Sequence, residues 1–139
     1  MKFTAEQRAF LLEHNHTAKI ATVRKDGHPH VTPVWFDLDG DIIVFTTGHN
    51  SAKAMHIRRD TRVSICVDNE TPPFSFLIIE GTASLSDDMP ALRFWATRLG
   101  GRYMGADRAE EYGKRNGVPG ELLVRITPTR ITFAKDIAS

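Results

Sequence analysis

The sequence of 139 residues contains a single cysteine, Cys66, and no long apolar run. One cysteine cannot form an intramolecular disulfide or build a zinc site on thiolates, and its position between Ile65 and Val67 is typical of a small buried side chain. No segment approaches the roughly 20 apolar residues of a membrane-spanning helix. The N-terminus is amphipathic and lacks the apolar core of a secretory leader. We therefore expect a cytoplasmic protein that does not contact a membrane.

The chain also lacks an excess of charge of either sign. Its 18 Lys and Arg residues and 17 Asp and Glu residues leave a formal net charge of +1. Proteins that bind nucleic acids usually carry a broad basic excess, so this balance disfavours a nucleic-acid partner. A local excess of positive charge lies between positions 49 and 62, where Asp60 accompanies four basic residues: Lys53, Arg58, Arg59 and Arg62.

The common catalytic and nucleotide-binding motifs are missing. There is no Gly-x-Ser-x-Gly, no phosphate loop ending in Gly-Lys-Ser/Thr, and no Gly-x-Gly-x-x-Gly after a strand. Two of the histidine pairs, His14/His16 and His28/His30, have the spacing of one strand face. No third ligand follows at a clear spacing, however, and zinc sites usually use three or four. We therefore predict neither a metal site nor a catalytic residue of the protein itself.

The hydrophobic pattern predicts one domain, residues 1–139, that is mainly β with peripheral helices. A capping box from Thr4 to Gln7 opens a helix that is expected to end near Asn15. Six strands are expected at residues 17–24, 28–37, 42–45, 62–68, 74–86 and 122–133, the fifth with a bulge at Gly81. Further helices are expected after Ser51, from Asp88 to Gly100-Gly101, and over 107–115. Because most strands follow one another through turns, we predict a small antiparallel barrel.

The second predicted strand contains Pro29 and Pro33. Proline has no N–H group to donate to a neighbouring strand, so it is unusual in the centre of a sheet. The strand is therefore an edge strand, a bulged strand, or a strand that borders a ligand. Residues 37–41 are expected to form the turn that follows it.

The segment from Thr46 to Ser51 combines hydroxyl groups, Gly48 and helix-capping residues, and Lys53 follows in the first turn of the next helix. The start of a helix offers free N–H groups and the positive end of the helix dipole, so this combination indicates an anion site. The alternative is an ordinary helix start with a solvated lysine. The convergence of hydroxyl groups, glycine and basic residues favours a phosphate.

Five segments carry a family resemblance through their order and spacing: VTPVWF, DGDIIVFTTG, SAKAMHIRRDTRVSICVD, EGTASL and LLVRITPTRI. Over residues 18–133 the chain resembles the pyridoxamine 5'-phosphate oxidase-like split β-barrel superfamily. Within it, the chain is most similar to the small flavin/deazaflavin-dependent oxidoreductases that use coenzyme F420. The resemblance implies an FMN-binding-protein-like split β-barrel of about six antiparallel strands. It also implies a homodimer with two cofactor sites at the subunit interface.

The resemblance further implies how the cofactor is held. The tricyclic ring would lie against residues 32–35, the phosphate would be met by the loop and helix start at 46–53, and Arg58 or Arg59 would attract the acidic tail of F420. The cofactor-binding residues expected are Thr32, Pro33, Val34, Trp35, Thr46, Thr47, Gly48, Ser51, Ala52, Lys53 and Arg59. Two positions depart from the family pattern, because relatives often carry Arg in place of Ser51 and Asn in place of His56.

The activity implied is transfer of a hydride from reduced F420 to an unsaturated organic substrate, such as an enone or a quinone. Such chemistry belongs to the cofactor, which agrees with the missing catalytic motifs. The source of the proton stays open, with water or His30 as candidates. Two alternatives remain: an FMN-dependent oxidoreductase of the same fold, and a flavin-binding or heme-binding protein without enzymatic activity.

Overall fold

The computed structural model describes residues 1–139 and contains seven strands and four α-helices. The strands are β1 (Ala18–Val23), β2 (Pro29–Val34), β3 (Asp37–Asp39), β4 (Ile42–Gly48), β5 (Arg62–Asn69), β6 (Ser75–Ser86) and β7 (Glu121–Ala134). The helices are α1 (Ala5–Leu12), α2 (Ala52–Arg59), α3 (Met89–Met104) and α4 (Ala109–Asn116), with one 3-10 turn at Ala106–Arg108. None of the helices combines the length and the apolar character needed to cross a bilayer.

All seven strands form one antiparallel sheet in the order β2-β1-β5-β6-β7-β4-β3. Its two edge strands, β2 and β3, are joined by only Trp35 and Phe36. In a flat sheet, six strand spacings would separate these edges by roughly 29 Å. The chain from Val34, the last residue of β2, to Asp37, the first residue of β3, has three Cα-to-Cα steps, which span at most about 11 Å. The sheet must therefore curl until its edges approach each other, and this gives the split β-barrel that the sequence predicted.

One buried apolar cluster fills the barrel, and the two helices α1 and α2 contribute Leu11 and Ile57 to it. A smaller cluster lies outside the barrel, where Leu92 and Trp95 of α3 pack on Val44 of β4. Strand β4 thus has α3 on its outer face and leads directly to α2. The end of β4 and the start of α2 consequently lie close to α3.

The prediction that the third helix ends at Gly100-Gly101 was wrong, because α3 continues to Met104. A Cβ atom at Gly100 would lie 2.4 Å from Cβ of Tyr112, which is far inside van der Waals contact. The glycine therefore permits close packing of α3 on α4 and does not terminate the helix. Glycine thus has two separate roles in helices: it ends them, and it allows another segment to pack closely against them.

Other boundaries also differ from the prediction. The strand expected over 28–37 ends at Val34, and the strand expected over 42–45 continues to Gly48. Helix α1 ends at Leu12 and not near Asn15.

Residues 37–41 were expected to form a turn, but part of this segment forms β3, a strand in addition to the six predicted. In β3, Leu38 is buried and pairs with Ile43. Strand β3 pairs with β4 across the two-residue turn Gly40-Asp41, so the two strands form a tight hairpin. The Asp39-Gly40 pair is a local signal for such a hairpin that the sequence analysis did not use.

Two local predictions are confirmed. Strand β2 pairs only with β1 and lies at the edge of the sheet. At an edge, the missing N–H groups of its prolines do not remove hydrogen bonds to a second neighbouring strand. The register of β6 against β7 shifts between Glu80 and Gly81, as expected for a bulge. A Cβ atom at Gly81 would lie 2.5 Å from the carbonyl oxygen of Thr127, so the bulge needs glycine because the two strands approach closely there.

Candidate functional site

The start of helix α2 is organised by two hydroxyl groups. Ser51 is the N-cap, and its Oγ accepts a hydrogen bond from the backbone N–H of Ala54 at 3.2 Å. Thr47, at the end of β4, donates its hydroxyl hydrogen to the same Oγ at 2.8 Å. The N–H groups of Ala52 and Lys53 precede the first possible acceptor inside the helix. The structure therefore presents free donors and the positive helix end at this loop.

A cleft of about 280 Å³ lies between β2, β4 and the helices α3 and α4. Its walls bring together both groups of residues that the sequence placed at the cofactor: Pro33, Val34 and Trp35 on one side, and Thr46 and Lys53 on the other. The remaining lining residues are Ala96, Leu99, Asn116 and Glu121. The predicted ring side and phosphate side thus border a single cleft.

The cleft contains two ionisable side chains, Lys53 and Glu121. Burial lowers the pKa of the Lys53 ammonium group. Burial raises the pKa of the Glu121 carboxyl, and the nearby His49 partly opposes this shift. Neither side chain takes part in an ion pair of the structure. Both side chains are therefore partly desolvated without a salt-bridge partner, and this burial penalises the charged form of each.

Glu121 was missed by the sequence analysis. It is the first residue of β7, and the antiparallel register places it opposite Gly48, the last residue of β4. A Cβ atom at Gly48 would lie 3.3 Å from Oε2 of Glu121, so the carboxylate lies beside the end of β4, where the loop to α2 begins. Only the pairing of β4 with β7 brings the two segments together, and no local pattern in the sequence indicates it.

An aromatic stack holds Trp35 in the wall of the cleft. Its ring lies parallel to that of Tyr103, with centroids 5.1 Å apart and planes 4° apart, and it meets Tyr112 edge-on at 5.8 Å. The Tyr103 hydroxyl donates to the carbonyl oxygen of His16 at 2.6 Å and accepts from the N–H of Phe36 at 3.1 Å. Tyr103 was not among the residues predicted for the site, because the predicted end of α3 placed it outside the helix.

Six of the residues predicted for the cofactor do not line this cleft: Thr32, Thr47, Gly48, Ser51, Ala52 and Arg59. The four at positions 47, 48, 51 and 52 lie between the end of β4 and the start of α2, on the segment that leads to Lys53. Thr32 lies opposite Ile20 of β1, and its Oγ1 is buried without a hydrogen-bond partner. Arg59, at the far end of α2, donates to the carbonyl oxygen of Val23. Arg58 donates to the carbonyl oxygen of His49 at 2.8 Å. Attraction of an acidic tail by either arginine stays a prediction.

The fold and the cleft together define a class of protein: a split β-barrel in which a helix start with free donors faces an aromatic wall. A family model described as pyridoxamine 5'-phosphate oxidase matches residues 3–135. The chain therefore belongs to the pyridoxamine 5'-phosphate oxidase family, and it is an oxidoreductase-like protein. This family assignment confirms the resemblance predicted from the five sequence segments.

Individual relatives agree with this assignment. An F420H(2)-dependent biliverdin reductase from Mycobacterium tuberculosis (strain CDC 1551 / Oshkosh) is 35% identical over 98 residues, which cover 68% of each chain. The structure of a conserved hypothetical protein from Mycobacterium tuberculosis superimposes with a TM-score of 0.85 at 26% identity, covering 98% of this chain and 86% of that one. The structure of an F420 reductase gives a TM-score of 0.70 at 26% identity, covering 89% and 94%.

Proposed function

We propose that the protein is an F420-dependent oxidoreductase that binds the deazaflavin in the cleft between β2 and α2 and serves the reduction of an unsaturated organic substrate. The observation that carries this proposal is the convergence of Lys53 and Thr46 with the Trp35 wall in one cleft. The name of the relative at 35% identity, an F420H(2)-dependent reductase, supports the choice of cofactor.

The residues on one side of the cleft fit a phosphate group. The ammonium group of Lys53 has no acidic partner, and the free N–H groups at the start of α2 point out of the helix toward its N-terminal end. A phosphate oxygen would accept hydrogen bonds from these donors, and its charge would complement the helix dipole. The hydroxyl of Thr46 adds one more donor to the same side of the cleft.

The opposite side fits a flat ring. Pro33, Val34 and Trp35 give an extended apolar wall, and the stack of Trp35 on Tyr103 fixes the orientation of the indole. A preorganised apolar wall lowers the entropy cost of holding a planar ligand. The bound deazaflavin supplies the hydride, while the chain binds the phosphate, orients the ring and shields one face from water.

We further propose that the protein acts as a homodimer in which the partner subunit completes each cleft. The cleft volume of about 280 Å³ lies at the lower end of the range of roughly 300–1,000 Å³ for small-molecule sites, which supports a site that a second subunit enlarges. The outer face of β1 and β2 is apolar at the pairs Ala21/Val31 and Val23/Pro29, and Val31 is 64% exposed. Burial of this face against a second copy would remove apolar surface from water.

The mass of the protein in solution tests the dimer. Light scattering at working concentration should give twice the mass of the chain, which is 15.6 kDa. A mass of one chain would contradict the proposed assembly.

The proposed activity is tested in two steps. The purified protein is first titrated with F420, FMN and heme, and binding is followed by absorption spectra. Reduced F420 is then mixed with the protein and a panel of acceptors that includes biliverdin, quinones and enones. We expect F420 to bind and its reduced form to be consumed only when both protein and an acceptor are present. Binding of FMN or heme in place of F420 would overturn the proposal, and F420 binding without turnover on any acceptor would indicate a carrier.

A further inference from the structure

The carboxylate of Glu121 lies at the phosphate side of the proposed cofactor cleft. It lines the cleft together with Lys53, and the contact over Gly48 places it beside the loop that leads to α2. Every other lining residue is neutral. The side-chain charges of the cleft, one ammonium and one carboxylate, therefore cancel. A site that simply attracts phosphate would not be expected to place a carboxylate there.

No ion pair or side-chain hydrogen bond holds the carboxylate of this residue, although the nearby His49 favours its charged form. Its backbone N–H donates to the carbonyl oxygen of Val118, which closes the turn before β7. The carboxylate itself forms no ion pair. It remains partly buried although burial penalises its charged form. The neutral isostere glutamine would satisfy the same space at lower cost, so the charge itself calls for a functional reason.

The two candidate cofactors differ in the charge of their phosphate. The phosphate of F420 is a diester, with one negative charge. The phosphate of FMN is a monoester, which carries a charge of about −1.5 to −2 near neutral pH because its second pKa is about 6. Coulomb repulsion from a fixed carboxylate scales with the charge of each ligand group and falls with distance, so the phosphate beside Glu121 outweighs the more distant acidic tail of F420. A carboxylate beside the phosphate therefore disfavours the monoester more strongly than the diester.

We propose that Glu121 is a specificity-determining residue that makes the cleft select a phosphodiester-linked deazaflavin over a flavin with a terminal phosphate. The inference rests on the proposed function, since it requires the phosphate to lie at the Lys53 side of the cleft. Lys53 supplies the attraction that both ligands share, and Glu121 supplies the difference between them.

The test compares dissociation constants for F420 and FMN at about pH 8, where the monoester is a dianion. Three variants are measured beside the wild type: Glu121→Gln, Glu121→Asp and Lys53→Met. Glu121→Gln should tighten FMN binding about tenfold and F420 binding about threefold, because the repulsion removed is nearly twice as large for the dianion. Glu121→Asp keeps the charge and should leave the ratio of the two constants near the wild-type value. Circular dichroism establishes that each variant is folded.

The Lys53→Met variant separates failure of this inference from failure of the proposed function. If it weakens both ligands while Glu121→Gln leaves their ratio unchanged, the cleft holds the phosphate and the role of Glu121 alone is refuted. If it leaves the binding of both ligands unchanged, the phosphate lies elsewhere, and the inference falls with the proposed site. The inference and the proposed site are both supported if the ratio of the two dissociation constants shifts toward FMN in Glu121→Gln but not in Glu121→Asp, and if Lys53→Met binds both ligands more weakly.

Discussion

The hydroxyl of Thr22 and Nδ1 of His56 lie 2.8 Å apart inside the barrel, and this hydrogen bond ties helix α2 to strand β1. Both residues are buried, with exposed fractions of 1% for Thr22 and 8% for His56. The ring of His30, on β2, meets that of His56 edge-on at a centroid distance of 5.2 Å. The helix that carries Lys53 is thus anchored to the barrel through an imidazole group.

This anchor predicts a loss of stability in acid. Burial, and then the charges of His30, Arg59 and Arg24, lower the pKa of His56 below its usual value of 6.5. The imidazole of His56 takes up a proton more readily in the unfolded chain than in the folded protein. Its contribution to the free energy of unfolding is therefore fully present above about pH 6.5 and is lost as the pH falls toward the lower pKa of the folded state. Urea unfolding measures the free energy of unfolding at pH 8 and at pH 5. The difference between the two values should be smaller in the His56→Asn variant than in the wild type.

The control for this experiment is His28→Asn, which removes an exposed imidazole from the hairpin between β1 and β2. It should retain the wild-type difference between the two pH values. Equal differences in wild type and His56→Asn would show that His56 does not contribute to the acid sensitivity.

The hydroxyl of Ser51 makes a second prediction. Ser51→Ala removes the N-cap of α2 and leaves the buried Thr47 hydroxyl without its acceptor. Loss of such a cap costs about 1 kcal/mol in the free energy of unfolding, and the unpaired hydroxyl adds to this cost. Ser51→Asn keeps a capping oxygen and should recover most of the loss. Thermal or urea unfolding of the two variants measures the effect, and equal stability of Ser51→Ala and wild type would exclude it.

Removal of the indole of Trp35 should weaken cofactor binding. Trp35→Ala deletes the part of the wall that stacks on Tyr103, and we expect about tenfold weaker binding of F420, equivalent to about 1.4 kcal/mol. Trp35→Phe keeps an aromatic ring and should lose less. Fluorescence titration with F420 gives the dissociation constants. If Trp35→Ala binds as tightly as wild type, the ring does not lie against this wall.

The contact between α3 and α4 predicts that two adjacent glycines differ in their sensitivity to substitution by alanine. Gly100→Ala places a methyl group 2.4 Å from Cβ of Tyr112 and should cost about 1–3 kcal/mol in the free energy of unfolding. Gly101→Ala meets Cβ of Ala109 at 3.3 Å, and the gain in helix propensity of up to about 1 kcal/mol should offset most of that crowding. Urea unfolding of the two variants tests the difference, and similar stabilities would contradict the packing described here.

The sequence was sufficient for the features that depend on local chemistry. The prolines of β2 excluded an ordinary central strand and left an edge strand as one of three alternatives. Gly81 indicated a bulge, and the hydroxyl groups before Lys53 indicated a helix start suited to an anion. Each of these signals arises because a residue type restricts the backbone or its hydrogen bonds within a few positions.

The features that the sequence did not reveal depend on contacts between distant segments. Gly100 looks the same whether it ends a helix or admits Tyr112. Glu121 enters the cleft only through its register opposite Gly48. Local patterning carries no information about these long-range contacts.

Binding of F420 to wild type and to Lys53→Met is the most direct test of the cleft as the cofactor site, with Lys25→Met, in the exposed turn after β1, as the control. Calorimetric titration should show binding to Lys53→Met at least about tenfold weaker than to wild type, a loss of about 1.4 kcal/mol or more. Lys25→Met should bind like the wild type. Equal affinity of Lys53→Met and wild type would contradict the placement of the phosphate at the start of α2.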